Sequence, residues 1–184
     1  ARALHIPRSP QGAIRMLEQA KRTTIDVGKI NDRYFINIVA AGLIPEAVSE
    51  VTIKEKTLFG SLAYFMKGFQ ALPKQHSYHF HIREENGTDI HISSPLVAAM
   101  LTDSAGSFRN LVPPEERNKG VIKLALFHNF QWLRTIREAP KLLTGLQLGP
   151  EILTVVGVKK AHISISNEEE LITNVDGEKG PSFP

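Results

Sequence analysis

The chain has 184 residues, of which 42% are hydrophobic, so it can bury the core of one domain. It contains no cysteine, which excludes disulfides and thiolate metal sites. The net charge of +3 mildly favours anionic partners such as phosphates or acidic lipid surfaces. The first residues carry neither an initiator methionine nor a signal-peptide pattern, so we expect the chain to be part of a longer protein.

Three segments have the three- and four-residue spacing of apolar side chains that predicts helices. The first covers residues 11–22, with Ser9 as its N-cap and Pro10 as its first helical residue. The clearest one covers residues 58–72, and a third lies near residues 130–137.

Much of the remaining chain has the alternation or the short apolar runs of β-strands. The predicted strands are residues 24–30, 33–39, 78–83, 89–93, 95–101, 121–127, 153–158, 161–166 and 171–176. The second of them is apolar enough to be central in a sheet. Because strands and helices do not alternate as βαβ units, the set predicts a mainly β (α+β) fold. We expect a β-sandwich-like or barrel-like domain with two or three helices.

Three histidines fall in one predicted hairpin. Asn86-Gly87 is a strong turn signal, and as a two-residue loop it pairs Ile82 with His91. His79 and His81 then share one face of the sheet, while His91 lies on the other. This parity disfavours a three-histidine metal site, so we predict solvated or hydrogen-bonded histidines and no metal ligands.

Several function classes lack their sequence signature. The chain has no Gly-x-x-x-x-Gly-Lys phosphate loop, no Gly-x-Gly-x-x-Gly fingerprint and no Gly-x-Ser-x-Gly elbow. Basic residues stand beside aromatic ones at residues 33–35 and 64–67, as a nucleic-acid-binding sheet would require. Since most of those aromatic residues are needed for the core, we expect no nucleic-acid partner.

Two acids flank a glycine close to the C-terminus, directly after the last predicted strand. Gly177 permits a turn that other residues resist, and the carboxylates of Asp176 and Glu178 stand on either side of it. The pattern fits a solvated Asp-Gly hairpin turn. It also fits an acid held at the end of a strand and aimed into a cleft.

Four motifs occur in order along nearly the whole chain. They are ARALHIP at residues 1–7, IDVG at 25–28 followed by RYFIN at 33–37, GSLAY at 60–64 with Lys67-Gly68, and Asp176-Gly177-Glu178. Together they resemble the C-terminal domain of the bacterial diacylglycerol kinase family, whose relatives include sphingosine kinases and other lipid kinases. The resemblance implies a two-domain kinase in which a separate N-terminal domain binds nucleotide through a Gly-Gly-Asp-Gly-Thr loop. That loop is absent here.

The resemblance implies a division of the chain and a reaction. Residues 1–22 would be the tail of the missing N-terminal domain or a linker, and residues 23–184 the C-terminal β-sandwich domain. The full-length protein would be a lipid kinase that uses ATP and Mg²⁺ to phosphorylate a lipid hydroxyl, with diacylglycerol as the expected acceptor. Its partners would be the lipid, a membrane surface and the missing domain, at a cytoplasmic, peripheral location. The sequence does not decide whether the protein forms a homodimer through an exposed edge strand.

The resemblance also implies roles for the acidic turn. Glu178 would be the catalytic residue, which faces the nucleotide cleft and accepts a proton from the lipid hydroxyl or helps to hold Mg²⁺. Asp176 and Gly177 would form the cofactor-binding turn, with Asp176 bracing it through hydrogen bonds to backbone N–H groups. We expect no cofactor to bind tightly to this chain by itself.

The chain departs from the family pattern at several places. Many relatives have an Asp-Gly pair before the strand that begins here at Val121, and that acid helps to hold a structural Mg²⁺. This chain has Lys119 before Gly120, which should exclude that metal. Residues 40–45 and 106–108 also match only in part. These departures support an alternative, a catalytically altered or inactive relative that binds lipid or regulates another protein.

Overall fold

The computed structural model of the chain describes residues 6–7, 9–42, 77–102, 119–128, 149–166 and 171–183. These ranges contain one helix, α1 at Pro10–Leu17. Their strands are β1 Gly28–Ile30, β2 Arg33–Phe35, β3 Ile38–Gly42, β4 Tyr78–Glu84, β5 Asp89–Ser94, β6 Leu96–Met100, β7 Ile122–Phe127, β8 Leu153–Val158, β9 Ala161–Ile165, β10 Ile172–Val175 and β11 Glu178–Ser182. The helices predicted at 58–72 and 130–137 lie outside the described residues. The helix of the described part is too short to cross a membrane.

The start of α1 agrees with the prediction, and its end does not. The Ser9 side chain accepts a hydrogen bond from the N–H of Gly12, and Pro10 is the first helical residue. The helix ends at Leu17 and not at residue 22. Ile14 and Leu17 remain 65% and 73% exposed, so packing adds little that would stabilise further turns.

The strands form antiparallel sheets that confirm the mainly β, sandwich-like prediction. A six-stranded sheet has the order β11-β10-β3-β6-β7-β8, and a three-stranded sheet has the order β5-β4-β9. The ribbon of β1 and β2 forms a separate pair. Of the strand 33–39 that was predicted to be central, only residues 38 and 39 lie inside the large sheet, as the start of β3, while β2 lies in the separate ribbon.

The core lies between the inner faces of the two larger sheets. From β4 the buried residues are Tyr78, Phe80 and Ile82, and from β7 they include Leu124 and Leu126. Each of these side chains is at most 2% exposed. Alternation along β4 buries its even-numbered residues and turns its odd-numbered ones outward, so a single strand supplies both the core and a polar surface.

One corner between the sheets is fixed by a buried hydroxyl. Ser94, which is 0% exposed, ends β5 where the chain passes into β6 in the other sheet. Its Oγ accepts the N–H of Leu96 and lies within hydrogen-bond distance of the carbonyl oxygens of Leu96 and Phe127. A buried hydroxyl with these partners carries no desolvation penalty, and it ties β5 to the end of β7.

Two of the predicted strands are shorter or broken. The strand predicted at 24–30 is reduced to β1, Gly28–Ile30. The strand predicted at 33–39 is divided into β2 and β3, because the N–H groups of Ile36 and Asn37 bond to a side chain and not to a neighbouring strand.

The hairpin of β4 and β5 has a different register from the predicted one. Ile82 pairs with Ile90, and His81 pairs with His91. The loop has three residues, 85–87, with Gly87 in the left-handed region at φ 89°. The prediction that His91 lies on the opposite face from His81 was therefore wrong, and all three histidines of the hairpin share the outer face.

Candidate active site

The acidic motif forms the tight turn between β10 and β11. Val175 pairs with Glu178, and the two residues between them, Asp176 and Gly177, both have positive φ, at 53° and 98°. Positive φ at both positions is the geometry of a type I′ hairpin turn, which favours Asp-Gly. Asn174 stabilises the turn by accepting the N–H of Gly177 at 2.9 Å. The predicted hairpin turn is thus confirmed, and β11 is a strand that the sequence did not predict.

The Asp176 side chain binds a different part of the chain. Its carboxylate accepts three backbone hydrogen bonds from the β2–β3 connection, from Ile36 at 2.7 Å, Asn37 at 3.0 Å and Ile38 at 2.8 Å. The N–H of Asp176 in turn donates to the carbonyl oxygen of Ile38 at 2.9 Å. Asp176 therefore binds backbone N–H groups of the β2–β3 connection, where the strand predicted at 33–39 is broken. These N–H groups do not belong to the Asp176-Gly177 turn.

Glu178 is the first residue of β11, and its side chain is 79% exposed. Arg33 donates from Nη2 to Oε2 of Glu178 at 2.6 Å and from Nη1 to the carbonyl oxygen of Lys179 at 2.6 Å. The guanidinium thereby fixes both the carboxylate and the backbone beside it. Arg33 is a site residue that sequence reasoning missed, although it opens the RYFIN motif.

An apolar cavity of about 450 Å³ lies beside these elements. It is bounded by the inner face of the six-stranded sheet, the β1–β2 ribbon, β9 and the end of β11. Its lining residues are Lys29, Ile30, Asn31, Phe35, Val39, Ala41, Val97, Ala99, Ile122, Leu124, Val158, Ala161, His162, Ile163, Thr173, Pro181, Ser182 and Phe183. The volume falls within the range of about 300–1,000 Å³ that is usual for small-molecule sites.

Phe35 forms part of the cavity wall, and its ring packs against Gly28. A Cβ atom on Gly28 would lie 2.2 Å from Cζ of the Phe35 ring, so the ring packs directly on the glycine backbone across the ribbon. Only a residue without a side chain fits this position. The close packing explains the glycine in the IDVG motif.

The loop before β7 is tied to Asp26. The Asp26 carboxylate accepts the N–H of Gly120 at 2.9 Å, next to Lys119. Among the residues described, no group of three or more His, Asp or Glu side chains is arranged to hold a metal ion. Lys119 brings a cation and no oxygen ligand to this loop, so its described residues do not fit a Mg²⁺ site.

His79 and His81 are hydrogen-bonded on the polar face of the small sheet, as predicted. His81 Nε2 lies 3.1 Å from Oδ1 of Asp89, and Ser93 Oγ lies 2.7 Å from Nδ1 of His79. The rings of His81 and His91 are stacked with centroids 4.2 Å apart. Arg83 donates to the same Asp89 oxygen, and this hydrogen bond is the main cause that lowers the pKa of Asp89.

Comparison with protein families and curated proteins identifies a matching family and several relatives. Residues 37–184 match the family described as the YegS C-terminal NAD kinase beta sandwich-like domain. Proteins named diacylglycerol kinase from Staphylococcus aureus, strains JH9 and Newman, are 32% identical over the whole chain. The chain spans only 57% of the length of these relatives.

Solved structures show the same fold. A crystal structure of a diacylglycerol kinase from Bacillus anthracis superposes with a TM-score of 0.75 at 20% identity, over all of this chain and 59% of that one. Another structure from the same organism gives a TM-score of 0.79 at 19% identity, over all of this chain and 60% of that one. The chain therefore belongs to the family of the YegS C-terminal NAD kinase beta sandwich-like domain, as the C-terminal domain of the bacterial diacylglycerol kinase type.

Proposed function

We propose that this chain is the substrate-side domain of an ATP-dependent lipid kinase, which transfers the γ-phosphate to a lipid hydroxyl, with diacylglycerol as the acceptor. The names of the 32%-identical relatives support a diacylglycerol kinase. The full-length protein would act as a peripheral protein at the cytoplasmic membrane surface, where its lipid acceptor lies.

One observation carries the proposal. The two elements that place the Glu178 carboxylate also line the apolar cavity. On β2, Arg33 holds Glu178, and Phe35 two residues later lines the cavity. On β11, Glu178 begins the strand whose Pro181 and Ser182 line the same cavity. An exposed acid on a strand that also lines an apolar pocket suits a substrate with a reactive hydroxyl and a hydrocarbon body.

The chemistry assigned to this chain is a proton transfer. The nucleotide-binding domain would hold ATP, which would supply the γ-phosphoryl group, and Mg²⁺, which would offset the charge of the phosphates. As the lipid hydroxyl oxygen bonds to the γ-phosphorus and the bond to the β-phosphate oxygen breaks, Glu178 accepts the hydroxyl proton. Arg33 keeps the carboxylate in place. Asp176 and Gly177 remain our prediction for the turn that borders the bound nucleotide.

The division of the full-length protein belongs to the same proposal. We assign residues 1–22 to the tail of the nucleotide-binding domain or a linker, and residues 23–184 to the β-sandwich. The exposed apolar side chains of α1, Ile14 and Leu17, would then pack against the nucleotide-binding domain.

The test is transfer of labelled γ-phosphate from ATP by the full-length protein with Mg²⁺. The acceptor panel contains diacylglycerol, monoacylglycerol, sphingosine and ceramide in mixed micelles. We expect phosphorylation of diacylglycerol. Labelling of a different lipid would correct the acceptor, and no labelling of any lipid by a protein that still binds ATP would refute the kinase.

A second candidate function rests on Lys119. The loop that holds a structural Mg²⁺ in relatives has a lysine here, and the nearby Asp26 carboxylate is engaged by the N–H of Gly120. A catalytically altered or inactive relative that binds lipid would show this pattern. It predicts that full-length protein binds diacylglycerol-containing vesicles without transferring phosphate, and that Lys119→Asp raises the phosphoryl-transfer rate.

A further inference from the structure

The outer face of the three-stranded sheet has an unusual composition. Its residues are Asp89, His91 and Ser93 on β5, His79, His81 and Arg83 on β4, and His162 and Ser164 on β9. We call this surface the histidine face. The opposite face of the same strands is apolar and packs into the core, so alternation sends every one of these polar side chains outward.

The strand registers bring the imidazoles together in rows. His81 pairs with His91 on one side and with Ser164 on the other, and Arg83 pairs with Asp89 and His162. Directly paired residues have side chains about 5 Å apart. Four imidazoles therefore share a patch three strands wide.

The charge of this face depends on pH. At neutral pH Arg83 and Asp89 offset each other, since they are joined by a hydrogen bond of 3.0 Å. Imidazole is the side chain that gains its proton between about pH 5 and pH 8. Asp89 Oδ1 lies 3.1 Å from Nε2 of His81, and the His81 ring stacks on that of His91. Four imidazoles on one face can add up to four positive charges to it when they are protonated.

Among the residues described, the other charged groups near the face stand at one end of it. They are Glu84 and Glu85 at the β4–β5 loop and Lys159 and Lys160 at the β8–β9 turn, and the two loops are joined by the hydrogen bond from Glu85 N–H to the Lys160 carbonyl. These two acids and two lysines offset each other, so within the described part of the chain the histidines are the groups of this face whose charge changes near neutral pH.

The histidine face adjoins the apolar cavity. His162 lies on the outer face of β9 and also lines the cavity, together with its neighbours Ala161 and Ile163. β9 is an edge strand of its sheet, so the face and the cavity meet along it. A bilayer in contact with the face would lie beside this edge of the cavity.

We propose that the histidine face docks the protein on an anionic lipid bilayer, and that protonation of its histidines strengthens the docking. The inference rests on the proposed function, because a lipid acceptor resides in a bilayer. An anionic bilayer has a surface potential of about −30 to −50 mV, which draws protons to its surface and favours the charged imidazoles. Docking and protonation therefore reinforce each other.

The expected size follows from the number of charges. Each cation near an anionic surface strengthens binding about fivefold. His91 and His162 have no side-chain hydrogen bond among those found at the face, so their replacement leaves the sheet intact. Removing both imidazoles should weaken binding at low pH by about 25-fold.

The experiment is vesicle co-sedimentation of the full-length protein. The vesicles contain phosphatidylglycerol and phosphatidylcholine without diacylglycerol, and no ATP is present, at about pH 5.5 and about pH 7.5. We compare wild type with His91→Gln/His162→Gln and with His128→Gln. The control residue is half-buried beside β7, where its Nε2 contacts Thr154 Oγ1 at 2.6 Å, away from the histidine face.

The inference predicts tight binding by wild type and His128→Gln at about pH 5.5 and much weaker binding at about pH 7.5. In the double variant, the difference in binding between the two pH values should be about 25-fold smaller, because only His79 and His81 remain. Equal binding at both pH values, equal binding to pure phosphatidylcholine, or an unaffected double variant would overturn it. Acid-dependent binding to single-stranded nucleic acid in place of vesicles would also overturn it.

Different experimental results would refute the histidine-face proposal and the kinase proposal. An active diacylglycerol kinase whose vesicle binding ignores pH would refute the histidine face alone. A protein that binds vesicles in the predicted manner but phosphorylates no lipid would refute the kinase alone, and would leave the docking surface supported.

Discussion

Replacing Asp176 by asparagine tests how the acidic turn is held to the rest of the domain. Asparagine has nearly the same shape and also tolerates positive φ, so the type I′ turn should survive. The substitution removes the negative charge of the side chain and replaces one of its two acceptor oxygens by an NH₂ group. Oδ1 of Asp176 accepts from Asn37 and Ile38, and Oδ2 accepts from Ile36. In the variant an amide nitrogen would face the Ile36 N–H, donor against donor.

The three hydrogen bonds determine how much free energy of unfolding the variant should lose. A hydrogen bond to a charged group contributes about 1.5–3 kcal/mol net, and a neutral one about 1 kcal/mol. The loss of one such bond and the weakening of two others should lower the free energy of unfolding by about 2–4 kcal/mol. Because Asp176 lies at the surface, water can solvate the freed N–H, so we expect the lower end, about 2 kcal/mol. For a chain of this size that is a fall in Tm of about 4–8 °C.

The assay is equilibrium unfolding in urea, followed by tryptophan fluorescence and circular dichroism, in the full-length protein. The matched control is Asp32→Asn, the same change in the β1–β2 turn, where the side chain is fully exposed and makes only a 3.6 Å contact with Lys29. That control should change the free energy of unfolding by less than about 0.5 kcal/mol. Equal midpoints for the two variants would refute the role assigned to the three hydrogen bonds.

Three further predictions concern the surroundings of the turn. Gly28→Ala should lower the free energy of unfolding by about 1–3 kcal/mol, because its methyl group collides with the Phe35 ring; an unchanged urea midpoint would contradict this packing. Arg33→Gln should change stability by less than about 1 kcal/mol, since the ion pair is exposed, but should reduce kcat about tenfold or more by releasing Glu178. Normal turnover in that variant would remove Arg33 from the site. Asp89 has a folded pKa below its ordinary value, so its ionised form stabilises the protein near neutral pH, and this contribution is lost as the pH falls through the lowered pKa. Asp89→Asn should therefore be less stable than wild type at neutral pH and equally stable in acid, as measured by unfolding at a series of pH values.

The sequence predicted the strands because their side chains alternate. Burial alternates along β4 as it does in the sequence. The apolar run predicted as a central strand at 33–39 was only partly right, because residues 38–39 begin the central strand β3 and residues 33–35 form β2 in the ribbon. The Asp-Gly pair correctly predicted the turn before Glu178, because few other residue pairs tolerate positive φ at both positions.

The register error at Asn86-Gly87 has a physical explanation. The predicted register requires a two-residue loop, but a glycine in the left-handed region also ends a three-residue loop. Burial of apolar side chains favours the longer loop, because the observed register pairs Ile82 with Ile90 and Phe80 with Ile92 on the buried face.

Other features depend on contacts that no local pattern reveals. Arg33 and Glu178 are 145 residues apart, so their ion pair follows only from the fold. The break between β2 and β3 arises because Asp176, 138–140 positions away, captures the N–H groups there. β11 was missed because Gly180 and Pro181, which rarely occur within strands, interrupt its pattern. Gly180 is required there, since a Cβ atom would lie 2.3 Å from Thr173 Oγ1.

The most direct test of the proposed function compares Glu178→Gln with Glu85→Gln in the full-length protein. Glu85 is an exposed acid of the β4–β5 loop, far along the chain from the acidic turn. The measurement is kcat for transfer of labelled γ-phosphate from ATP to diacylglycerol, with circular dichroism to establish folding. We predict that Glu178→Gln lowers kcat by about 10²–10⁴-fold while Glu85→Gln leaves it unchanged. A Glu178→Gln protein that is folded and retains wild-type turnover would contradict the assignment of Glu178 as the catalytic acid–base residue.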